Sequence, residues 1–447
     1  MKKLDIILLV LLIGLAVVLN FIPHLSYKMP LHVDEWVHFQ FSNYLSNDAS
    51  LYFGGEHTNL EAGFHYILAT LNALGVPYVF MFVYFASIVT ILICLGVFIL
   101  TRKMFNERAG VFAVLFIALL QSSVMILGPV FFVPMAIGMF LIVIGLYLVE
   151  LNSKAIIPVL SAILIIHPPS AMAFILLINL SWIIKKSWIK NIKYQLIAGL
   201  IAIPFYFDIF ARQGASAINN LSFSVISSAL FVPRELGLII TAIAIIGIYF
   251  SLVEKKYAVS VYSVALLAFI LLFYHYKLEI FIPYRRALMY LFLIFAVAFG
   301  VGFDELIKLS KNKKIQIGIG IVLLAIVLIF SLPAKLESNN RIYHIISEEQ
   351  YNDLVWIREN TDKNAIVLAD PWIANAVTPI AERQVYSRIV QGPNEFYEAR
   401  NKEISDFFKN NCSDINFLKE NNIGVVYGDC SNSNVLIEVH ENVWETK

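Results

Sequence analysis

Charged residues are scarce in this sequence, and their scarcity sets the first limit on the class of protein. Asp, Glu, Lys and Arg together make up 15% of the 447 residues, whereas soluble domains carry about 25%. Apolar and aromatic residues make up 59%, and the mean hydropathy is +0.75. Long apolar runs fill residues 1–332 and are separated by short charged clusters. This pattern excludes an ordinary soluble enzyme and predicts a polytopic α-helical membrane protein.

Cysteine, basic stripes and nucleotide-binding motifs are scarce or absent as well. The three cysteines are Cys94, Cys412 and Cys430, and no Cys-x-x-Cys or Cys/His spacing is typical of zinc. The net charge is +1 without a basic stripe, so nothing indicates a nucleic-acid partner. There is no G-x-G-x-x-G, P-loop or nucleophile elbow. Cys412 and Cys430 could form a disulfide outside the cytoplasm, and two free thiols fit the sequence equally well.

The polarity of the chain changes near residue 333. Beyond it the apolar runs shorten and charged residues return. We therefore predict a membrane domain over 1–332 and a second domain over 333–447, which at about 115 residues has a usual domain size. Alternating patterns predict a small α/β fold there, with Ser347 as a helix cap and short strands in AIVLAD, RQVYSR, IGVVYGD and VLIEV.

Apolar runs of spanning length, among them 110–128 and 130–149, predict about 11 transmembrane helices. HPPS interrupts the run over 155–184, so one kinked helix and a hairpin of two short helices both fit. With a cytoplasmic amino terminus, the hairpin places 16 basic residues in cytoplasmic loops and 6 outside, which favours it under the positive-inside rule. The prediction is a multi-pass plasma-membrane protein whose loop 23–77 and residues 333–447 are extracytoplasmic.

The first long loop is acidic and rich in aromatic residues. Two of its segments have helical spacing, and each carries an acid and a histidine four residues apart, Asp34 with His38 and Glu61 with His65. Both segments are typical of amphipathic helices that lie in the membrane interface. On residue types alone, Asp34 and Glu35 fit a helix start favoured by the helix dipole as well as a functional site.

This arrangement resembles the GT-C-fold glycosyltransferases, which have a first apolar helix, a long extracytoplasmic loop with an acidic motif, many further spans and a soluble C-terminal domain. VDEWVHFQFSNYL is similar to the Asp-Glu motif of protein O-mannosyltransferases, in which His-Phe follows the pair as His38-Phe39 does here. HPPSA and YRRALMYL match more loosely. LVWIRENTDKNAIVLADPW resembles the segment that opens the C-terminal domain of oligosaccharyltransferase catalytic subunits.

The resemblance implies an enzyme that takes a sugar from a polyprenyl-phosphate carrier and passes it to an extracytoplasmic acceptor, which could be a protein, a lipid or a glycan. In that family the acid matching Asp34 acts as base or positions the acceptor, and Glu35 is the second catalytic candidate. Oligosaccharyltransferases carry a Trp-Trp-Asp motif, whereas this chain has only Asp370-Pro371-Trp372. That departure argues against N-glycosylation of sequons.

A lipid-phosphate donor needs cations, and the planar fork of arginine suits phosphate best. We predict that three arginines lie at the outer ends of spans: Arg234, Arg285 and Arg286. The alternative for each is an arginine that only anchors its helix in the membrane interface. Further candidates near the predicted outer surface are His38, His57, His65, His167, Asp208 and Arg212. A solvent-facing tip position is the alternative for His167, and a local ion pair is the alternative for Asp208 with Arg212.

No cofactor is firmly indicated, although a divalent metal such as Mg²⁺ or Mn²⁺ is an option because oligosaccharyltransferases use one. Its candidate ligands are Asp34, His38, Glu56, His57, Glu61 and His65, whose spacing matches no strict metal motif. Two other classes fit part of the sequence. A transporter or lipid flippase explains the interrupted 155–184 region but leaves the long structured loop unexplained. A non-catalytic GT-C-like membrane protein explains the architecture without any chemistry.

Overall fold

The computed structural model describes residues 3–47, 60–123, 126–213, 235–278, 282–390 and 395–446, and for 207–213 it describes the backbone alone. The α-helices of these ranges, in chain order, are α1 Lys3–Phe21, α2 Val33–Asn47, α3 Ala62–Ala73, α4 Tyr78–Met104, α5 Glu107–Leu119, α6 Pro134–Glu150, α7 Ile156–Ile166, α8 Pro168–Ile184, α9 Trp188–Gln213, α10 Leu238–Val253, α11 Ala258–Tyr276, α12 Tyr284–Ile307, α13 Lys313–Asn340, α14 Glu348–Asn360, α15 Ala374–Ala381, α16 Glu395–Lys409 and α17 Ile415–Glu420. The strands are β1 Ile366–Ala369, β2 Gln384–Val385, β3 Ile423–Tyr427, β4 Leu436–His440 and β5 Val443–Thr446.

The chain divides into two compact units. We call Met1–Met29 with Phe53–Ile342 the membrane unit, and Pro30–Tyr52 with Tyr343–Lys447 the α/β unit. Helix α13 continues through Pro333, so residue 333 lies inside a helix and the α/β unit begins again ten residues later. The α/β unit also contains α2, which the sequence analysis assigns to the first long loop.

Five helices of the described ranges are long and apolar enough to cross a membrane: the helical segment Lys3–His24 that contains α1, then α4, α11, α12 and α13. Four more helices, α6, α7, α8 and α10, are apolar but shorter. Helix length and apolarity thus identify a mostly helical membrane protein. The count of about 11 spans and their sidedness stay predictions.

The boundaries of α5 and α6 differ from the predicted spans 110–128 and 130–149. The predicted span 110–128 was too long, because α5 ends at Leu119 and the polar sequence Gln121-Ser122-Ser123 follows in extended or irregular backbone. The next helix begins at Pro134 rather than at residue 130. Proline suits the first turn of a helix because its missing N–H has no intrahelical partner there.

Helices α7 and α8 are separate, and the break lies at His167. Pro168 and Pro169 occupy the first turn of α8, and His167 is extended, with φ −154° and ψ 92°. Proline has no backbone N–H to donate to the preceding turn, so Pro168 and Pro169 cannot continue α7. Their position explains the interruption. The sequence predicted the break at this place, while the sidedness that follows from a hairpin stays a prediction.

The core of the membrane unit is built around α12, in which an apolar stretch of 18 residues is completely buried. Helix α10 approaches it closely, because a Cβ atom added to Gly247 would lie 1.7 Å from the carbonyl oxygen of Ala298. Gly300 of α12 also lies close to α5, because its Cβ would lie 2.1 Å from the carbonyl oxygen of Ala109. Small residues at these crossings let the helix backbones meet.

The α/β unit contains a five-stranded sheet in the order β2-β1-β3-β5-β4. Strand β1 pairs in parallel with β2 and β3, whereas β5 pairs antiparallel with β3 and β4. The first four strands were predicted. Strand β5 was missed because VWET is a short run that follows β4 through a tight turn, in which Asn442 has a positive φ of 56°.

Two further details of the α/β unit bear on the sequence analysis. Ser347 caps α14 in a reciprocal capping box with Gln350. Cys412 and Cys430 form a disulfide, which settles the open choice between a bridge and free thiols. The bridge lies in a buried cluster with Ile404, Phe407 and Trp444, so it closes the core beside the sheet.

Candidate functional site

The acidic pair lies at the start of α2 in the α/β unit, and the two carboxylates have different surroundings. Glu35 is fully buried, and its Oε2 accepts hydrogen bonds from the backbone N–H groups of Leu31 at 2.6 Å and His32 at 3.1 Å. His32 Nδ1 in turn accepts the backbone N–H of Asp34 at 3.0 Å. This exchange resembles a capping box, so Glu35 holds the helix start together.

Asp34 lies in the first turn of α2 beside two rings. Its Oδ1 is 3.7 Å from His32 Nδ1, and its side chain keeps 10% of its surface exposed. The ring of Tyr343 lies 6.2 Å from that of His32. Burial, and secondly the negative charge of Asp34, raise the pKa of Tyr343. The Asp34 carboxylate therefore lies within electrostatic range of a tyrosine hydroxyl that stays protonated.

The Asp370-Pro371-Trp372 segment belongs to the same unit and meets the same tyrosine. The rings of Trp372 and Tyr343 are 5.6 Å apart and nearly perpendicular. Asp370 accepts the backbone N–H of Trp372 at 2.9 Å, which fixes the turn, and Trp372 is 46% exposed. A row of rings thus leads from Asp34 through His32 and Tyr343 to an exposed tryptophan, whose aromatic face suits an amphipathic ligand.

Helix α2 is tied to the rest of the α/β unit by polar contacts that the sequence analysis missed. Buried Arg388 donates to Gln40 Oε1, and Gln40 Nε2 donates to the Tyr44 hydroxyl at 2.8 Å. His38, predicted as a supporting residue, is buried on the same helix, and its carbonyl accepts from Ser42 Oγ at 2.7 Å. The contact from Arg388 joins the helix that carries Asp34 to the segment after β2.

A second polar cluster lies in the membrane unit, and it brings together three candidates of the sequence analysis. His167 Nε2 is 3.4 Å from Glu61 Oε1. His167 Nδ1 is 2.6 Å from Ser170 Oγ, which is 2.9 Å from the Tyr290 hydroxyl. The charge of Arg286 acts on both His167 and Tyr290. HPPSA and YRRALMYL, two segments that the sequence resemblance singled out, therefore contact each other.

Arg285 and Arg286 lie at the start of α12, and both are half-buried. The Nη1 of Arg286 lies 3.3 Å from the Sδ of Met135, which is a weak acceptor. The first turn of a helix also presents backbone N–H groups and the positive end of the helix dipole. Arginine side chains at such a place are suited to a phosphate group.

The remaining candidates are distributed differently. His65 is buried in α3 of the membrane unit, beside Phe64. Asp208 and Arg212 continue α9, but their side chains are outside the described part of the chain, as are His57 and Arg234 entirely. The structure therefore brings His167 and Arg286 into one cluster and places Asp34, Glu35 and His38 on one helix of the other unit.

Ser170, Tyr290, Tyr343 and Arg388 are the polar residues that sequence reasoning did not select. The motif segments contain the first two, but only the three-dimensional contact across 120 residues gives them significance. As for a divalent metal, no group of three or more His, Cys, Asp or Glu side chains among the described residues could hold one.

No protein-family model and no curated protein match the chain. Solved structures do match it. The Archaeoglobus fulgidus oligosaccharyltransferase tethered with an acceptor peptide containing the NVT sequon aligns with a TM-score of 0.61 at 12% identity, over 96% of this chain and 69% of the archaeal chain. The same archaeal enzyme, AglB, in complex with an inhibitory peptide and a dolichol-phosphate, aligns with a TM-score of 0.58 at 12% identity, over 95% and 69%.

A third structure of the archaeal enzyme, in complex with Zn and sulfate, aligns with a TM-score of 0.55 at 14% identity, over 94% of this chain and 67% of the archaeal chain. These likenesses extend over nearly the whole chain at low identity, so they define its fold. The chain has the fold of a GT-C membrane glycosyltransferase of the oligosaccharyltransferase type. The resemblance drawn from the sequence is confirmed at that level.

Proposed function

We propose that the protein is a GT-C-type glycosyltransferase that moves a sugar from a polyprenyl-phosphate donor to an extracytoplasmic acceptor. The observation that carries the proposal is the likeness over 96% of the chain to an oligosaccharyltransferase fold, one structure of which is a complex with dolichol-phosphate. The low identity leaves sugar, carrier and acceptor to be found by experiment.

In the proposed reaction, Asp34 takes the proton of an acceptor hydroxyl. The hydroxyl oxygen then bonds to the anomeric carbon of the sugar as the bond from that carbon to the phosphate oxygen breaks. The products are the glycosylated acceptor and the polyprenyl phosphate, which leaves with the bonding electron pair. Such a reaction needs a placed base and cations for the departing phosphate.

The surroundings of Asp34 support its role as base. Its carboxylate keeps some exposure, and the helix that carries it is fixed by Glu35 at its start and by Arg388 further along. Glu35, by contrast, is fully buried and engaged with backbone N–H groups. We therefore assign proton transfer to Asp34 and the positioning of Asp34 to Glu35, where the sequence analysis treated both as catalytic.

Phosphate binding falls to the arginines of the membrane unit. Arg285 and Arg286 are half-buried at the amino end of α12, where a guanidinium and the helix dipole act on an anion together. Arg234 stays a candidate outside the described residues. His167, which precedes the first residue of α8, lies within electrostatic range of Arg286 and belongs to the same cluster.

The site is proposed to face the extracytoplasmic side of the plasma membrane. The Cys412–Cys430 disulfide supports this placement, because disulfides persist in oxidising compartments. The acceptor can be a protein, a lipid or a glycan. The single Trp372 in place of a Trp-Trp-Asp motif disfavours an asparagine sequon.

The test is an Asp34→Asn variant purified as the full chain and offered polyprenyl-phosphate-linked sugars with a membrane extract as acceptor. We expect transfer to fall by a factor of about 10² or more, as for loss of a general base, with donor binding unchanged. Asp414→Asn, which alters only the exposed cap of α17, is the matched control. Transfer at the wild-type rate by Asp34→Asn would remove Asp34 from the mechanism.

A further inference from the structure

The polar cluster of the membrane unit is a hydrogen-bond chain with a fixed direction. The backbone N–H of Ser170 donates to His167 Nδ1 at 3.2 Å, so this nitrogen is an acceptor and the ring proton lies on Nε2. Ser170 Oγ, 2.6 Å from the same nitrogen, then donates to it, and the Tyr290 hydroxyl donates to Ser170 Oγ at 2.9 Å. The chain therefore runs from Tyr290 to Ser170 to His167, and its last N–H faces Glu61.

The order Ser-His-Glu invites comparison with a hydrolase triad, but the burial of the serine argues against it. Ser170 has no exposed surface, and a Cβ added to Gly138 would lie 2.2 Å from its Oγ. No substrate carbon can approach a hydroxyl enclosed in this way. His167 and Tyr290 are at most 1% exposed as well. The Glu61 side chain, 26% exposed, is the member of the chain that a ligand can reach.

A carboxylate and a guanidinium both lie close to this hydrogen-bond chain. Tyr290 lies within electrostatic range of both Glu61 and Arg286. Arg286 directs one N–H group at the Met135 thioether, whereas Glu61 Oε1 faces the His167 N–H. The positive and the negative group thus share one neighbourhood, where each can meet a different part of one ligand.

We propose that Glu61 binds hydroxyl groups of the sugar on the lipid-linked donor. This inference rests on the proposed function, in which Arg286 binds the phosphate of the same donor. A carboxylate only accepts hydrogen bonds and has two oxygens for them, so it suits neighbouring sugar hydroxyls and not a phosphate. The hydrogen-bond chain from Tyr290 through Ser170 to His167 holds the Glu61 carboxylate in position.

The experiment measures binding of two probes to the full-length protein in lipid nanodiscs. The probes are polyprenyl-phosphate-mannose or polyprenyl-phosphate-glucose, whichever the wild type binds more tightly, and polyprenyl phosphate without a sugar. We expect Glu61→Gln to weaken the sugar-linked lipid about tenfold or more, as loss of charge-assisted hydrogen bonds would. Binding of the bare polyprenyl phosphate should change less than about twofold.

Two variants separate recognition from general damage. Arg286→Gln should weaken both lipids alike, and Tyr290→Phe, which removes a single O–H donor, should weaken only the sugar-linked lipid and by a smaller factor. Equal loss of both lipids in Glu61→Gln, or no loss of either, would overturn the inference. Wild-type protein that binds neither lipid would instead overturn the proposed function, so the two failures are distinguishable.

Discussion

The side-chain nitrogen of Lys335 donates a hydrogen bond to the amide oxygen of Asn20 at 2.8 Å, and both side chains are buried in the membrane unit. Asn20 also donates to Thr90 Oγ1 at 3.3 Å, and Thr90 donates to the carbonyl of Pro129 at 3.2 Å. A polar path therefore joins α13, α1 and α4 within apolar surroundings. Buried polar groups of this kind stabilise one arrangement of helices because any other arrangement leaves them without partners.

This relationship predicts an asymmetry between two variants. Asn20→Leu should destabilise the protein by about 2–6 kcal/mol, because two buried groups, the side-chain nitrogen of Lys335 and the hydroxyl of Thr90, lose their Asn20 partner. Lys335→Met should cost less, about 1–3 kcal/mol, because it removes the donor itself and leaves only the amide oxygen of Asn20 without a partner. Thermal unfolding in detergent micelles measures both. Equal losses of stability, or a larger loss for Lys335→Met, would contradict the greater cost expected for Asn20→Leu.

The two acids of α2 should behave in opposite ways. Glu35→Ala is expected to lower stability by about 1–3 kcal/mol, because two backbone N–H groups at the helix start lose their acceptor. Asp34→Asn should leave stability nearly unchanged and abolish transfer. Glu35→Gln, which keeps one acceptor oxygen, is the intermediate control. Unfolding curves and transfer rates recorded on the same preparations test this division of roles between Glu35 and Asp34. A stability loss confined to Asp34→Asn would reverse the two roles.

Helix packing gives a matched pair of glycine variants. Gly247→Ala should destabilise the membrane unit by about 1–3 kcal/mol, because the new methyl group would overlap the carbonyl oxygen of Ala298 and force α10 away from α12. Gly318→Ala should stabilise α13 by about 0.5–1 kcal/mol, because no neighbour lies within 4 Å and alanine favours the helix. Thermal unfolding compares the two. A neutral Gly247→Ala would mean that the helices are less tightly packed.

The pH dependence of the α/β unit should show the titration of Tyr386. Burial, and secondly the hydrogen bond from its hydroxyl to Glu403, raise the pKa of Tyr386 from 10.0 to about 12. Because the folded-state pKa is raised, the stabilisation is complete below pH 10 and is lost as the pH rises towards about 12. Phenolate absorbance and near-ultraviolet circular dichroism follow the loss. Tyr386→Phe should remove this phase, and an unchanged curve would contradict the assignment.

Local sequence pattern accounts for most of the elements. Apolar runs predicted the membrane helices, Pro168 and Pro169 located the break before α8, and alternation located four of the five strands. The errors lie where a run is short or its polarity mixed, as at the end of α5 and in β5. Such patterns are readable because helix and strand formation depend mainly on neighbours along the chain.

The roles within the candidate site were less predictable. Asp34 and Glu35 are adjacent in sequence and chemically alike, yet one carboxylate is partly exposed and the other is enclosed by backbone N–H groups. The helix start decides this difference, because the position N3 points its side chain back to the preceding backbone. A motif alone could not assign proton transfer to one acid and support to the other.

The sequence by itself determined that the protein enters a membrane and where most of its helices run, and it indicated the acidic motif and the arginines as candidates for the site. Only the tertiary structure decided that Glu61, His167 and Tyr290 meet, and that Trp372 joins the rings beside Asp34. The physical reason is that hydropathy and propensity act over a few residues. Three of these contacts, Glu61 with His167, Ser170 with Tyr290 and His32 with Tyr343, join residues over 100 positions apart, and they depend on how the elements pack.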